Sequence, residues 1–426
     1  MDDHEKTYCC IDLKSFYASV ECVERGWDPF KVSLVVADPE RSEKTICLAV
    51  SPALKAKGVP GRCRLFQIPK GLKYEIAKPR MRLYMETSAK IVEEYLRFVS
   101  AADLHIYSID ECFIDLTPYI SLYEKSPKEL VNMLRTAVLE RTGITATAGI
   151  GPNLFLAKVA LDVTAKHVPD GIGVLDEQSF REIIWPHRPI TDVWQIGRGI
   201  AARLERYGIY DLQGVAHADI DLLYREFGAN AEYLIDHAWG IEPCTIAEIK
   251  AYEPESTSFG NGQVLPSDYS FEDARMILRE MTDEAVLDLV DKHVVTSHVS
   301  LHVGYGKTNG SDEEGFQHAG GSRKLDFHTN SFERLMGILD EMYRQRVDPN
   351  RTVRRINIAF GNLQPEEAVT YDLFADVEAE EEERACQEAL VAIRNRFGKD
   401  AVMRGTSYRE GVRGIERAHQ VGGHHA

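Results

Sequence analysis

The chain has 426 residues, with 67 acidic and 50 basic side chains and a formal net charge of −17. Hydrophobic residues make up 44% and charged residues 27%, an ordinary globular balance that argues against a wholly disordered chain. The acidic total argues against a generic nucleic-acid binder, which neutralises phosphates with Lys and Arg. The length suggests about three domains. No apolar run reaches the roughly 18 residues of a membrane span. The polar start Met1-Asp2-Asp3-His4-Glu5-Lys6 is unlike a secretory signal. Eight scattered cysteines without a C-x-x-C pair read as reduced interior thiols of a cytoplasmic protein.

The charge is segmented along the chain. Residues 51–90 carry ten bases and two acids, a net of +8. Residues 211–314 carry 21 acids and six bases, a net of −15. Residues 366–388 have a net of −9, and residues 389–426 a net of +4. Such segments are expected to meet different partners.

The pattern predicts a strand over 7–13, a short helix over 15–24, and strands over 32–36 and 45–50. Helical spacing runs from Met81 to Val99. Two strands, 104–108 and 112–116, flank a hairpin at Ile109-Asp110-Glu111. A helix over 127–140, a strand over 145–150 and a helix over 153–166 follow, the last stopped by Pro169 and Gly171. Residues 185–240 read as helical, with Gly197 and Gly199 in a G-x-G between helical patterns. Residues 252–258 suit a linker. A second α+β unit follows, with helices over 271–290 and 332–346 and strands over 295–305, 322–327 and 352–360. Residues 304–321 read as a Gly-rich hairpin loop, and a last helix is expected near 385–397. The order implies an α+β fold, sheets layered with helices.

Asp12 ends an apolar strand, and Asp110 and Glu111 sit at a hairpin. Acids at strand ends in apolar surroundings must be paired or hold a cation. Three carboxylates at one sheet edge would form a hard-oxygen site for Mg²⁺ or Mn²⁺. Spacing alone leaves open whether they converge, because Asp12 and Asp110 lie far apart in sequence.

The residues around these acids carry a resemblance. Ile11-Asp12-Leu13-Lys14-Ser15-Phe16-Tyr17-Ala18-Ser19-Val20-Glu21 resembles the opening motif of Y-family DNA polymerases. Ser108-Ile109-Asp110-Glu111 resembles that family's S-I-D-E motif. Gly149-Ile150-Gly151-Pro152-Asn153 with Leu156-Ala157-Lys158-Val159-Ala160 and Ala165-Lys166 is similar to its G-I and L-A-K block. Residues 193–208 resemble its helix-hairpin-helix, and Arg354-Arg355-Ile356-Asn357-Ile358 its last accessory strand. The style of residues 55–59 resembles the bacterial UmuC-like branch.

The resemblance implies a right-hand-like polymerase of low fidelity acting in translesion synthesis, DNA repair and the SOS response. Its parts would be a ferredoxin-like palm (1–30 and 78–170), small fingers (31–77) and a helical thumb with a helix-hairpin-helix (171–245). A linker (246–258), an α+β little-finger DNA-binding domain (259–362), and an acidic segment and tail (363–426) complete it. It also implies two Mg²⁺ ions, with Mn²⁺ as a substitute, held by Asp12, Asp110, Glu111 and the Leu13 carbonyl. The amides of Ser15 and Phe16, with Lys55 and Lys158, would hold the triphosphate of a dNTP, and Tyr17 would be the steric gate. Lys55 and Pro52 stand where many members have an arginine and an aromatic; lysine keeps the charge without the bidentate fork. Primed template DNA would meet Gly197, Gly199, Arg323, Lys324, Arg354 and Arg355. Alternate strand residues face opposite sides, so Arg354 and Arg355 cannot both face DNA across one sheet, and either could. Leu373 and Phe374 would dock into a sliding clamp. Accessory subunits or a recombinase filament are further partners the resemblance admits; a membrane is not. A catalytically impaired DNA or clamp adaptor on the same fold is the other reading.

Overall fold

The computed structural model describes residues 6–40, 44–254, 257–306, 317–368 and 376–402, and the backbone of 420–421 and 424–425. The chain forms two compact units, Met1–Tyr252 and Glu253–Ala426. Among the described residues no helix is long and apolar enough to cross a membrane.

The first unit is built on a five-stranded sheet. Its strands are β1 (Tyr8–Leu13), β5 (Leu104–Ile106), β6 (Glu111–Asp115), β7 (Ala146–Gly151) and β8 (Ile172–Val174). Their order is β5-β6-β1-β7-β8, with β1 antiparallel to both neighbours. β1 is central and covered on both faces, which explains its nearly unbroken apolar run. Cys9, Ile11 and Leu13 face a core shared with α1 (Phe16–Glu24), α3 (Met81–Tyr95) and α5 (Pro127–Thr142). Tyr8 and Cys10 face the other way, with Phe113, Leu154, Ala157 and Leu161. A three-stranded sheet stands between α1 and α3 in the chain. It comprises β2 (Leu34–Val36), β3 (Ala49–Val50) and β4 (Glu75–Ala77), with α2 (Pro52–Lys55) and its own small core around Val35, Val50 and Leu54. The strand expected over 45–50 shrinks to β3 and an isolated bridge between Ile46 and Arg64.

The helix expected over 153–166 is not uniform. α6 (Leu154–Val159) passes into a π turn (Ala160–Thr164) and a 3₁₀ turn (Ala165–His167). This segment lies almost on the sheet. A Cβ on Gly149 would stand 2.1 Å from the Ala157 carbonyl oxygen, and one on Gly173 would stand 2.3 Å from that of Ala160. Only glycine permits backbones to approach this closely. α4 (Thr117–Tyr123) packs on the opposite face, beside α5. Short helices complete the unit: α7 (Glu177–Ser179), α8 (Arg198–Glu205), α9 (Leu212–Ala216), α10 (Ile220–Phe227), α11 (Asn230–Ala238) and α12 (Ile246–Ala251). α12 falls inside the expected linker 246–258, yet its Ile246 is buried against Tyr8 and Phe113.

The second unit is an antiparallel sheet of four long strands, with a fifth short one (Gln364–Pro365) paired to Val294 and Val295, covered on one face by helices. Its long strands are β9 (Ser258–Tyr269), β10 (Val294–Tyr305), β11 (His318–Thr329) and β12 (Val353–Gly361), in the order β11-β10-β12-β9. Val299, Leu301, Val303, Ile356, Ile358 and Phe360 point into a core with α13 (Phe271–Asp291) and α14 (Phe332–Arg346). β9 has no counterpart in the sequence-based expectation. α15 (Val377–Phe397) begins eight residues before the expected 385 and packs on α13.

The glycine seam generates a test. Gly149→Ala should destabilise the protein by about 3 kcal/mol, the range of forced overpacking. A thermal or urea unfolding curve would read the loss, and an unchanged midpoint would contradict the close approach.

Candidate active site

The acidic end of the sheet is assembled by register. Asp12 on β1 stands directly opposite Glu111 on β6. Cross-strand partners point to the same face, here the face covered by α6. The Leu13 amide donates to the Asp110 carbonyl at 2.9 Å, which ties the hairpin turn to the end of β1. Ser108 Oγ donates to Asp110 Oδ1 at 2.7 Å, and Cys10 Sγ donates to Glu111 Oε1 at 3.1 Å. The three acids that lie far apart in sequence therefore share one sheet end.

Burial pushes the Asp12 carboxyl up to about 7, and the neighbouring charges of Asp110 and Glu111 add to the rise. Lys158 works against this. Its ammonium lies 2.5 Å from Glu111 Oε1 and 2.9 Å from Asp162 Oδ1. Burial opposes the ammonium charge, but Asp162 and Glu111 outweigh it and hold its pKa above the usual lysine range. Lys158 is thus a buried, paired cation inside the acidic cluster, which its place in a sequence block did not reveal.

The donor set fits a hard divalent cation. It is oxygen only, its charge is negative, and one member is pushed toward protonation by burial and, after that, by its acidic neighbours. Among the described residues, however, no three ligating side chains close into a ready-made cluster. Asp110 is engaged by Ser108, and Glu111 by Lys158 and Cys10.

The start of α1 faces the same end of the sheet. Ser15 is its N-cap, held in the left-handed region at φ 50°, without a side-chain cap bond. A non-glycine residue there is strained, a condition common at functional sites. Tyr17 follows on the first turn. Its ring stacks on that of Tyr84, centroids 4.5 Å apart and planes within 16°. Tyr84 is fully buried, and its hydroxyl donates to Glu21 Oε1 at 2.6 Å. The Glu21 carboxylate is buried as well and accepts from Arg80 at 3.0 and 2.8 Å. Burial disfavours its charge, but Arg80, Tyr84 and Arg25 hold its carboxyl below the usual range. Burial raises the Tyr17 phenol, and the charge of Asp110 raises it further. Lys55 is exposed at the end of α2. Desolvation lowers its pKa, while the charge of Asp12 raises it. Pro52 opens α2 at its first position, after Ser51, whose side chain accepts from the Leu54 amide.

Gly197 is the N-cap of α8, and Gly199 lies in its first turn. Neither has positive φ, and a Cβ on either would meet nothing. Their value is an uncovered helix start, not a special conformation.

The second unit resolves the arginines. The outer face of its sheet, away from the helices, carries Arg355 and Asn357 of β12, with Arg355 Nε 3.2 Å from Asn357 Oδ1. Arg354 sits at an irregularity in the pairing of β12 and lies 3.9 Å from Asp268. On β11, Lys324 is exposed on the outer face, opposite His298 of β10. Arg323 shares the parity of buried Leu325 and pairs with Glu341 of α14 at 2.6 Å. Of the four basic residues, Lys324 and Arg355 share the open side, while Arg323 and Arg354 do not. Leu373 and Phe374 lie outside the described residues.

Asp12 yields a signed pH dependence. Its folded pKa exceeds the ordinary 3.8, so the native state keeps a proton that the unfolded state has lost. Stability should therefore fall as pH rises from about 4 to about 7. At about 1.4 kcal/mol per pH unit the cost approaches 4 kcal/mol. Asp12→Asn, unfolded without divalent ions, should be more stable than the parent at pH 8 and no more stable at pH 4.

Comparison with known proteins identifies the chain. Residues 11–162 match the impB/mucB/samB family, and residues 256–373 match that family's C-terminal domain. The chain is 31% identical to the "Putative UV-damage repair protein UvrX" of Bacillus subtilis (strain 168), over 98% of this chain and 97% of that protein. It is 30% identical to "DNA polymerase IV 2" of the same organism, over 99% of both. In structure it resembles the "Y-family DNA polymerase chimera Dbh-Dpo4(243-245)-Dbh", with a TM-score of 0.65 at 19% identity, over 84% of this chain and 99% of that chain. The last likeness is one of fold. The chain belongs to the impB/mucB/samB family, the Y-family polymerase group that its ordered motifs resemble.

Proposed function

We propose that the protein is a template-directed DNA polymerase of low fidelity that extends primers past damaged bases. The observation that carries this reading is the acidic end of the central sheet: Asp12 opposite Glu111, Asp110 beside them, and the Lys158 ammonium reaching Glu111 from α6. In this reading the central sheet is the palm, the three-stranded sheet the fingers, the short helices after β8 the thumb, and the second unit the little finger.

Asp12, Asp110, Glu111 and the Leu13 carbonyl are the assigned metal ligands. Two divalent ions held there, Mg²⁺ or in its place Mn²⁺, would lower the pKa of a primer 3′-hydroxyl and offset the charge of the departing pyrophosphate. The reaction forms a bond from the primer 3′-oxygen to the α-phosphorus and breaks the α–β phosphoanhydride bond. The chain's own part is positioning and charge. The amides at the start of α1, Ser15 and Phe16, suit a triphosphate, because helix N-termini attract anions. Lys55 and Lys158 supply positive charge around it. The ring of Tyr17, braced on Tyr84, fits a steric gate against a ribose 2′-hydroxyl. Gly197 and Gly199 leave the start of α8 free for a phosphate of the duplex. Lys324 and Arg355 are the proposed phosphate contacts of the second unit; Arg323 and Arg354 already have acidic neighbours. Leu373 and Phe374 remain the proposed clamp anchor.

Primer extension tests the assignment. Asp110→Ala and Glu111→Ala should each abolish extension of a primed template with Mg²⁺, and extension at the parental rate in either would overturn it. Tyr17→Ala should raise ribonucleotide incorporation relative to deoxyribonucleotide incorporation.

DNA affinity against salt tests the outer face. Lys324→Ala and Arg355→Ala should each weaken binding and reduce the slope of log affinity against log salt by about 1. Arg323→Ala should leave that slope unchanged, and equal effects of all three would refute the two-sided placement.

A further inference from the structure

Lys158 is committed to carboxylates at the same place where the proposed reaction needs a metal ligand. Its ammonium contacts Glu111 Oε1 at 2.5 Å and Asp162 Oδ1 at 2.9 Å. The lysine side chain is 9% exposed, Glu111 11% and Asp162 31%. We propose that Lys158 is a built-in counter-cation of the carboxylate site, and that a divalent ion gains Glu111 by displacing the ammonium onto Asp162. The inference rests on the metal assignment made above.

The geometry supplies the parts of this exchange. A divalent ion and an ammonium repel strongly when they share one carboxylate oxygen in a site shielded from water. One of them must leave. A buried ammonium stripped of its partner is costly. Asp162 removes that cost, because it already holds the same ammonium from the π turn that follows α6. The backbone cannot make the adjustment, since α6 and the π turn are pressed onto β7 and β8 along the glycine seam. The lysine side chain can. Moved fully onto Asp162, the more exposed of the two acids, it remains charged at the rim of the site.

Two substitutions should act with opposite sign. Lys158→Met removes the competing cation, so metal affinity should rise, on the order of tenfold for the loss of one close charge. Asp162→Asn leaves the ammonium no other partner than Glu111, so affinity should fall several-fold. The probe is Mn²⁺, with free ion followed by electron paramagnetic resonance. The protein is full length, free of DNA and nucleotide, at pH 8.5 so that Asp12 is ionised. Circular dichroism checks that each variant is folded; if one is not, the sign of the other still decides. Unchanged or weaker affinity in Lys158→Met, or unchanged or tighter affinity in Asp162→Asn, overturns the proposal. Asp12→Ala separates the two levels. If it weakens Mn²⁺ binding while Lys158→Met does not strengthen it, the exchange alone is wrong. If it changes nothing, the metal assignment fails and takes the exchange with it.

Discussion

Like charges do not gather unless something opposes their repulsion. Here the acidic end of the central sheet is held by one buried ammonium. Asp12, Asp110 and Glu111 are brought together by strand register and one hairpin, and the sheet cannot release them without breaking its ladder. Lys158 meets Glu111 from α6, and α6 and the π turn after it can lie that close only because β7 and β8 present glycine beneath them. The acidic site, the tight helix and the bare strands are thus one arrangement. It is stabilised at the level of packing and stressed at the level of charge, as sites that must later bind a cation tend to be.

Much of this was legible in the residues. The strands at 7–13 and 145–150 and the helix at 332–346 agree with the structure because their apolar spacing is decisive. The three acids were identifiable, and their convergence came from ordered motifs, not from any local pattern. What escaped was long-range or one-sided. β9 was missed because Ser258–Tyr269 is glycine-containing and mostly exposed, with Leu265 its one buried side chain. The choice between Arg354 and Arg355 depends on an irregularity in strand pairing that parity alone cannot place. The partners of Lys158 depend on a sheet edge 47 residues back in the chain and on a π turn that no periodicity announces.

The net charge of −17 and a nucleic-acid substrate are compatible once the second unit is seen in layers. Its acids gather on the helical side: Glu341 and Asp340 on α14 pair with Arg323 and Arg275, and α15 carries Glu380, Glu383 and Glu388. The opposite sheet surface holds Lys324 and Arg355 with His298, His302 and His318. A sheet with an acidic back and a mildly basic front repels a polyanion from one side and accepts it on the other. Orientation, not overall attraction, is what such a charge distribution provides.

The last helix of the second unit has an effect beyond its own length. Glu383 of α15 accepts from Ser331 Oγ and from the amides of Phe332 and Glu333 at 2.6, 2.8 and 3.2 Å, so it caps the start of α14. Glu380 pairs with Arg334 one turn further on, and Arg384 reaches Glu366 at 3.1 Å. This acidic stretch therefore closes off helix amides at the start of α14. A protease that removed this helix would take the acceptor of the Phe332 and Glu333 amides with it and leave α14 with Ser331 as its only cap, rather than trim a tail.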